Sequence, residues 1–260
     1  MSSLFNSVFH SPHGNQLLSA LPYADYQRVE QHLELTQLVQ GQQLHVEGET
    51  MSHLYFPTSS VISLRHEIAN ELSEISAVGN EGAVGLSLFL AEGTMSSAAM
   101  VQTGGYAYRL ALPELQKEFR RAGPTLFLLL RYTQAHLSQI AEQAICKSHH
   151  MIEQKLCAWL LQRLDRFPNT EITIAQDLIA DALRVRHEVI NEATMKLQDL
   201  GFLSCRLGHI QVLNKTQLER LTCECYTSSK KEFRRLLPEH QPDPNFQSGG
   251  VLLSGFPYLH

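Results

Sequence analysis

Short runs of alternating apolar and polar residues fill the first half of the chain. Between residues 44 and 112, apolar side chains recur at every second position in several places, as at Leu54 and Phe56, and glycines separate the runs. Successive side chains of a strand point to opposite faces, so this pattern predicts strands with one buried face. We expect a small antiparallel roll over 44–112, preceded by a short helical lead-in over 15–37.

The spacing of the apolar residues changes after Pro113. Apolar or small side chains then alternate at intervals of four and three, at Leu126, Leu130, Thr133, Leu137, Ile140 and Ala144. This spacing is typical of the contact seam of a helix that packs along a partner helix. We therefore expect a dimerisation helix over 113–148 that pairs with its copy in a second chain. A core helix within one domain is the alternative.

Three further helices and a hairpin are predicted in the last part of the chain. An amphipathic pattern over 149–167 predicts the first helix. The second is expected over 173–183, where Thr173 opens a capping-box pattern, and the third over 186–200, before a glycine. Residues 202–213 have the pattern of a strand, a glycine turn and a second strand. The order helix, turn, helix, hairpin is typical of a winged helix-turn-helix.

The distribution of charge refines this organisation. The formal net charge of −5 excludes proteins that coat nucleic acid along their whole surface, because that mode needs a basic excess. Residues 1–149 hold 8 Lys and Arg against 13 Asp and Glu, whereas residues 150–237 hold 13 against 11. The charge distribution therefore allows a small basic DNA-binding surface, called the reading head below, within residues 150–237. Residues 238–260 contain no Lys or Arg and are expected to be disordered or loosely docked.

Cysteine usage and apolar runs bear on the compartment. The chain has five cysteines, all in its second half, and their odd number and spacing do not fit a secreted disulfide framework. The longest apolar runs fall far short of the roughly 18 residues that a membrane-spanning helix needs, and the N-terminus lacks the pattern of an export signal. We expect a cytoplasmic protein with no membrane partner.

The helix predicted over 186–200 carries the candidate functional side chains. Its apolar face is formed by Ile190, Ala193, Leu197 and Leu200. The first two turns of its other face present polar side chains, as reading of base edges in the major groove requires. The candidate DNA contacts in the turn, the helix and the wing are Arg184, Arg186, His187, Glu188, Asn191, Glu192, Lys196, Arg206 and His209. A solvated helix face is the alternative for any one of them.

Several motifs together resemble those of the Crp/Fnr superfamily of bacterial transcription factors. They are His53-Leu-Tyr-Phe-Pro57, Gly79-Asn-Glu-Gly82-Ala-Val-Gly85, Ser148-His-His-Met-Ile-Glu-Gln154, Leu183-Arg-Val-Arg-His-Glu188, Gly208-His-Ile210 and Cys223-Glu-Cys-Tyr226. The resemblance implies an α+β protein with a cyclic-nucleotide-binding-like β-roll, a long dimerisation helix and a C-terminal winged helix-turn-helix. The implied divisions are a sensor at 1–112, the dimerisation helix at 113–148, the DNA-binding domain at 149–237 and a flexible tail at 238–260.

The resemblance also assigns roles on the predicted recognition helix. Glu188 matches the glutamate with which the superfamily reads a half-site, and the implied partners are double-stranded DNA and a second copy of the chain, with RNA polymerase as a further candidate. Two positions depart from the pattern. Glu192 stands where many relatives place an arginine that contacts DNA, and Arg184 stands where they place a turn glycine. These departures bear on the operator sequence rather than on the docking mode.

The sensor lacks the charged residues that cyclic-AMP binders of this fold use. No Lys or Arg occurs between Arg65 and Arg109, and Leu86 follows Gly85 where a ribose-binding glutamate is expected. A buried cyclic phosphate without a cationic partner is poorly compensated, so we expect cyclic AMP to bind weakly or not at all. The residues left as candidates for an unknown effector are Gly82, Gly85, Leu86, Ser96, Ser97 and Tyr132. The glycine-rich stretch is either an anion cradle or only a turn.

Neither a metal site nor a catalytic site is expected. Relatives that hold an iron–sulfur cluster use N-terminal cysteines, and no cysteine precedes Cys146. Cys146 with His149 and His150 resembles part of a zinc site, but the sequence offers no identifiable fourth ligand. Packing is the favoured role for the 223–225 cysteine pair, with a strained redox pair or a metal site as alternatives. The chain shows no constellation typical of an enzyme.

The sequence therefore favours a homodimeric, sequence-specific DNA-binding regulator on a near-palindromic operator. The alternative is a ligand-sensing or protein-interaction scaffold of the same fold with weak or no DNA binding. The acidic Glu192 on the predicted recognition helix motivates that alternative.

Overall fold

The computed structural model describes residues 11–68, 71–90, 95–166, 171–173, 176–206 and 209–237. The predicted tail at 238–260 and the wing glycine Gly208 lie outside the described residues. Within those ranges, no helix combines the length and the apolar composition that crossing a bilayer requires.

Two antiparallel sheets form the N-terminal roll. Their strands are β1 (Leu33–Leu38), β2 (Gln43–His45), β3 (His53–Pro57), β4 (Val61–Ile68), β5 (Glu71–Val78), β6 (Ala98–Thr103) and β7 (Gly105–Ala111). One sheet has the order β1-β7-β3 and the other β2-β6-β4-β5. Alternating residues such as Leu54 and Phe56 of β3 are buried between the sheets. The α+β class and the antiparallel roll are confirmed.

The helical lead-in predicted over 15–37 is confirmed only in part. Asn15 caps a short helix α1 (Gln16–Ser19) by accepting hydrogen bonds from two backbone N–H groups, and α2 (Tyr23–Glu30) follows. The last part of the predicted helix is strand β1 instead. Pairing with β7, in which Leu35 lies opposite Tyr108, determines that conformation, so tertiary context overrides the local pattern. A four-residue helix, α3 (Ser87–Leu90), lies between β5 and β6.

The segment 113–148 contains two helices rather than one continuous helix. They are α4 (Leu112–Arg121) and α5 (Pro124–His149). Ala122 takes a left-handed conformation with φ of 51°, and Pro124 occupies the first turn of α5. A left-handed residue ends α4, and proline favours a new helix start because its missing N–H costs nothing there. The long helix expected for dimerisation is therefore α5.

The C-terminal part contains a three-stranded sheet among helices. Its elements are α6 (Ile152–Arg166), β8 (Glu171–Thr173), α7 (Gln176–Leu183), α8 (His187–Asp199), β9 (Leu203–Arg206), β10 (His209–Val212), α9 (Lys215–Leu221) and α10 (Glu224–Leu236). The sheet order is β8-β10-β9. Strand β8 corrects the helix start expected at Thr173, because Thr173 pairs with His209 in this sheet. Helices α7 and α8 with the β9-β10 hairpin form the winged helix-turn-helix.

Two apolar cores lie along the chain. The first fills the roll and includes Leu115 of α4 and Tyr132 of α5. The second lies under the helix-turn-helix, among residues such as Leu160 and Ile190. Helix α10 joins them, because it begins in the second core at Cys225 and ends with Phe233 packed against the first. Helix α5 likewise runs from one core to the other.

Candidate functional site

The turn between α7 and α8 has the geometry of a Schellman motif. The N–H of Arg184 donates to the carbonyl of Asp181, and the N–H of Val185 donates to that of Ala180. Arg184 itself is left-handed, with φ of 56°. That conformation suits glycine, and an L-residue pays roughly 1–2 kcal/mol for it. The turn therefore keeps the helix-turn-helix geometry and adds an exposed cation at its corner.

Helix α8 buries the expected face with one exception. Ile190, Ala193 and Leu197 are fully buried against the second core. Leu200 was expected on the same face but is 60% exposed, because it is the C-cap residue, beyond the last helical turn. The helix ends in a second Schellman motif, in which Gly201 has φ of 71° and the N–H of Phe202 donates to the carbonyl of Leu197.

The predicted contact residues lie on the solvent side of the helix-turn-helix. Exposed side chains are those of Arg184, Arg186, His187, Glu188, Glu192, Lys196 and Arg206, and Asn191 is half-buried. Met195, on the same face, is 64% exposed. A face without burial inside the chain is available to a partner. His209 lies in β10 opposite Arg206 of β9.

A small group of polar contacts lies at the first turn of α8. The Asn191 amide lies 3.1 Å from Nδ1 of His187, and Nε2 of His187 lies 3.5 Å from a carboxylate oxygen of Asp177 in α7. The imidazole thus bridges the two helices of the motif. This places the His187 ring and the Asn191 amide side by side at the end of the helix that enters a groove in helix-turn-helix proteins.

Lys196 is held by an ion pair rather than pointing freely into solvent. Its ammonium lies 2.7 Å from the carboxylate of Glu153 in α6. That hydrogen bond raises the pKa of Lys196 and lowers the pKa of Glu153. An exposed pair of this kind is weak, so Lys196 can exchange Glu153 for a phosphate.

The other charged side chains on the solvent side of the helix-turn-helix form no such ion pair within the described residues. Within the part of the chain that the structure describes, no ion pair or side-chain hydrogen bond is formed by Arg184, Arg186, Glu188, Glu192 or Arg206. Side chains that make no such contact inside the protein keep their full hydrogen-bonding capacity for a ligand. The site combines three such cations with two such carboxylates, an arrangement suited to selective rather than general binding.

In the sensor, the glycine-rich stretch is filled by protein side chains. A Cβ placed on Gly82 would overlap the hydroxyl group of Tyr132, and one on Gly79 would lie 2.7 Å from Cδ of Arg166. The Tyr132 hydroxyl donates to the carbonyl of Ala83 at 3.2 Å. Tyr132 is fully buried. Within the described residues, the glycines thus allow close approach of α5 and α6.

The other sensor candidates are spread around this stretch. Gly85 is left-handed, with φ of 112°, and its carbonyl accepts from the N–H of Leu88 at the start of α3. Leu86 is half-buried against the first core. Ser97 is buried just before β6, whereas Ser96 is exposed and its carbonyl lies 2.9 Å from the His66 ring. The role of these residues in effector binding stays a prediction.

Two arginines of α6 contact residues of the roll, and the sequence patterns did not reveal them. Arg166 pairs with Glu81 at 2.7 Å and donates to the carbonyl of Ala77 at 2.6 Å. Arg163 is almost fully buried and donates to the side chain of Gln102. Burial lowers the pKa of Arg163 to about 9. Their only sequence signal is two arginines in a helix otherwise rich in apolar residues.

Helix α5 presents an apolar stripe to solvent. Its exposed large side chains are Phe127, Leu130, Leu137 and Ile145, with exposed fractions of 40–57%. The opposite face packs into the protein through residues such as Leu129, Tyr132 and His136. No element of the described chain covers this stripe. Two of its residues, Leu130 and Leu137, belong to the predicted dimer seam.

Comparisons with known proteins agree with this architecture. Residues 154–221 match the family model of the Crp-like helix-turn-helix domain. A similar solved structure is FixK2 from Bradyrhizobium japonicum, with 14% identity and a TM-score of 0.65 over 74% of this chain and 98% of that one. No match was found among curated proteins.

Two further structures share the fold at low identity. The c-di-GMP-responsive global regulator CLP of Xanthomonas campestris is 16% identical, with a TM-score of 0.58 over 74% of this chain and 99% of that one. A CRP-family transcriptional regulator of Thermus thermophilus is 15% identical, with a TM-score of 0.60 over 72% of this chain and 95% of that one.

Proposed function

We propose that this chain, whose residues 154–221 match the model of the Crp-like helix-turn-helix domain, is a homodimeric, sequence-specific DNA-binding regulator of transcription of the Crp/Fnr type. The observation that carries the proposal is the solvent face of α8. Polar side chains occupy its first turns, and Glu188 and Glu192 form no ion pair within the described chain. In a helix-turn-helix, this end of the second helix enters the major groove.

Base reading is assigned to the first turns of α8. Glu188 accepts a hydrogen bond from cytosine N4, and Asn191 makes paired hydrogen bonds with adenine. His187 donates to guanine or to a phosphate through Nε2, which exchanges its contact with Asp177 for the DNA, while Nδ1 stays beside the Asn191 amide. Arg184, Arg186, Lys196 and Arg206 supply phosphate contacts, which orient the protein without selecting a sequence. The imidazole bridge to α7 supports this assignment, because it orients two of the reading groups before DNA arrives.

Dimerisation is assigned to the exposed stripe of α5. A row of four large apolar side chains along one helix would be costly to leave in water, and a second copy of the same helix covers it symmetrically. Two copies of α8 then face successive major grooves about 34 Å apart. The operator is accordingly a near palindrome.

The sensor roll is assigned to an effector other than cyclic AMP. The absence of Lys and Arg between Arg65 and Arg109 leaves no cation in this stretch for a cyclic phosphate. Tyr132 packs against Gly82 at the glycine-rich stretch. The contacts of Tyr132 with this stretch and with α10 provide a route from the roll to the helices. Their rearrangement would change the spacing of the two α8 helices.

Fluorescence anisotropy of labelled DNA from upstream of the protein's own coding sequence tests this function. Titrations at several salt concentrations are compared with titrations of a scrambled duplex of the same composition. We expect tighter binding to the genuine sequence and an affinity that falls steeply as salt rises, because phosphate contacts release counterions. Equal binding to both duplexes, or none at any salt concentration, would favour the scaffold function instead.

A further inference from the structure

Four metal-ligating side chains converge where α5 meets α10. Cys146 lies in the last turn of α5 and His150 is its C-cap residue, while Cys223 is the N-cap of α10 and Cys225 lies in its first turn. One ligand atom from each lies within 4.8 Å of every other. The pairs are far apart in sequence, since Cys146 and Cys223 are separated by 77 positions. The fold therefore provides the further ligands that the sequence pattern around Cys146 lacked.

Two of the six distances between ligand atoms match those around one tetrahedral ion, and all four atoms lie within 4.8 Å of one another. Sγ of Cys146 lies 3.5 Å from Sγ of Cys223, and Sγ of Cys225 lies 3.7 Å from Nδ1 of His150. Tetrahedral zinc with thiolate and imidazole ligands separates its ligand atoms by roughly 3.5–3.8 Å. A four-iron cluster distributes its ligands over four metal ions and holds them much farther apart. The geometry thus favours a mononuclear site, and three thiolates with one imidazole favour zinc.

The histidine is oriented for coordination by a carboxylate. Nε2 of His150 lies 3.4 Å from Oε1 of Glu224, the residue between the two α10 cysteines. When Nε2–H donates to that carboxylate, Nδ1 carries the lone pair, and Nδ1 is the ring nitrogen that lies near Sγ of Cys225. Metal-bound histidines usually have such an outer hydrogen bond, which fixes the ring and its tautomer.

The surroundings of the three cysteines favour metal-bound thiolates. All three cysteines are buried, and burial raises the pKa of Cys225 to about 12. Thiolate is the coordinating form, so an ion that binds here displaces any thiol proton. The start of α10 carries the positive end of the helix dipole, which stabilises the thiolates of Cys223 and Cys225.

We propose that Cys146, His150, Cys223 and Cys225 bind one Zn²⁺ ion as a structural site. The ion clamps the end of α5 to the start of α10. His150 lies two residues before the start of α6, so the clamp fixes the junction that leads into the helix-turn-helix domain. At its other end, α10 places Phe233 against Tyr132 of the sensor, with ring centroids 6.3 Å apart. The site thus holds α10 in the position that links the two cores.

Cobalt substitution in the full chain tests the site. Reduced, metal-free protein is titrated with Co²⁺, and the visible absorption of tetrahedral cobalt with thiolate ligands is recorded. We expect saturation at one ion per chain, displacement of cobalt by Zn²⁺ and a higher melting temperature with either ion. Cys225→Ala removes a ligand and should abolish the cobalt bands. Glu224→Gln keeps all four ligands and should weaken binding by about 10-fold.

Two cysteines outside the site provide matched controls. Cys157 is buried nearby and Cys205 lies in the wing, and neither belongs to the cluster. Cys157→Ala and Cys205→Ala should keep the cobalt spectrum. A reduced, folded parent chain that gives no tetrahedral cobalt spectrum would overturn the proposal, even if the Cys225→Ala variant fails to fold. Isolation of the protein with an iron–sulfur chromophore, or loss of the spectrum in either control variant, would also overturn it.

Discussion

At the scale of single residues, local geometry requires glycine at one position and tolerates a larger residue at another. Arg184 occupies a left-handed turn position that glycine would fill without strain, and it adds a cation beside the recognition helix. At position 82, by contrast, glycine is required, because a side chain there would overlap Tyr132. The sequence patterns identified both positions. They did not indicate that the glycines face Tyr132 and Arg166, since that depends on how α5 and α6 dock on the roll.

Glu188 should determine base preference rather than overall affinity. In Glu188→Ala the acceptor for cytosine N4 is lost, so discrimination at that base pair should fall by about 1–3 kcal/mol while the salt dependence stays the same. Competition binding with single-base operator variants measures this. The control is Glu219→Ala, which removes an exposed glutamate of α9 in the same domain. Unchanged base preference in Glu188→Ala would refute the assigned role.

Gly82→Ala should destabilise the sensor. The added methyl group overlaps the Tyr132 hydroxyl, and overpacking of a buried contact typically costs about 1–3 kcal/mol. Tyr132→Phe removes that oxygen and loses one hydrogen bond to Ala83, which costs about 1 kcal/mol. Urea unfolding should show the double variant to be more stable than the sum of the two single effects implies. Strict additivity would show that the two side chains do not meet.

At the scale of elements, periodicity predicted α5 and α8 well and short strands poorly. The buried face of α8 follows from the spacing of Ile190, Ala193 and Leu197, and only Leu200, past the helix end, departs from it. Most of β1 and the last residue of β8 fall in segments with a helical pattern, and pairing with strands far away in the sequence makes them strands instead. The convergence of α5 and α10 at four ligands also depends on long-range packing, which local spacing does not encode.

Leu137→Asp should separate the dimer into folded monomers. Leu137 is 57% exposed in the single chain, so a charge there costs the monomer little but disrupts an apolar seam. Sedimentation equilibrium should give the monomer mass, with an unchanged melting temperature at concentrations where the parent is monomeric. Leu213→Asp is the matched control, because Leu213 is 56% exposed but lies outside α5. A dimeric Leu137→Asp variant would place the interface elsewhere.

At the scale of the whole molecule, the reading head is anchored to the sensor by buried charge. Arg166 of α6 pairs with Glu81 of the glycine-rich stretch, and both groups are largely shielded from solvent. This contact, with Arg163 on Gln102, is a direct connection between the two cores. The charge distribution along the sequence indicates only that residues 1–149 carry an excess of Asp and Glu. In the structure, one of these residues, Glu81, neutralises the charge of Arg166 in the C-terminal part.

Glu81→Gln should therefore destabilise the protein strongly. It leaves the Arg166 guanidinium buried without its carboxylate, and removing one partner of a buried pair costs about 3–5 kcal/mol. Chemical unfolding measures the loss. The control is Glu34→Gln, which breaks the exposed pair with Arg109 and should change stability by less than about 1 kcal/mol. Equal effects of the two substitutions would show that the anchor is not buried in solution.

The proposed function requires that two copies of α8 read a symmetric DNA site. Selection of binding sequences from a random duplex library, followed by determination of the mass of the complex on the enriched site, tests this most directly. We expect two inverted half-sites with centres about 10–10.5 base pairs apart, bound by one dimer. Enrichment of no sequence, or of a single half-site bound by one chain, would contradict it.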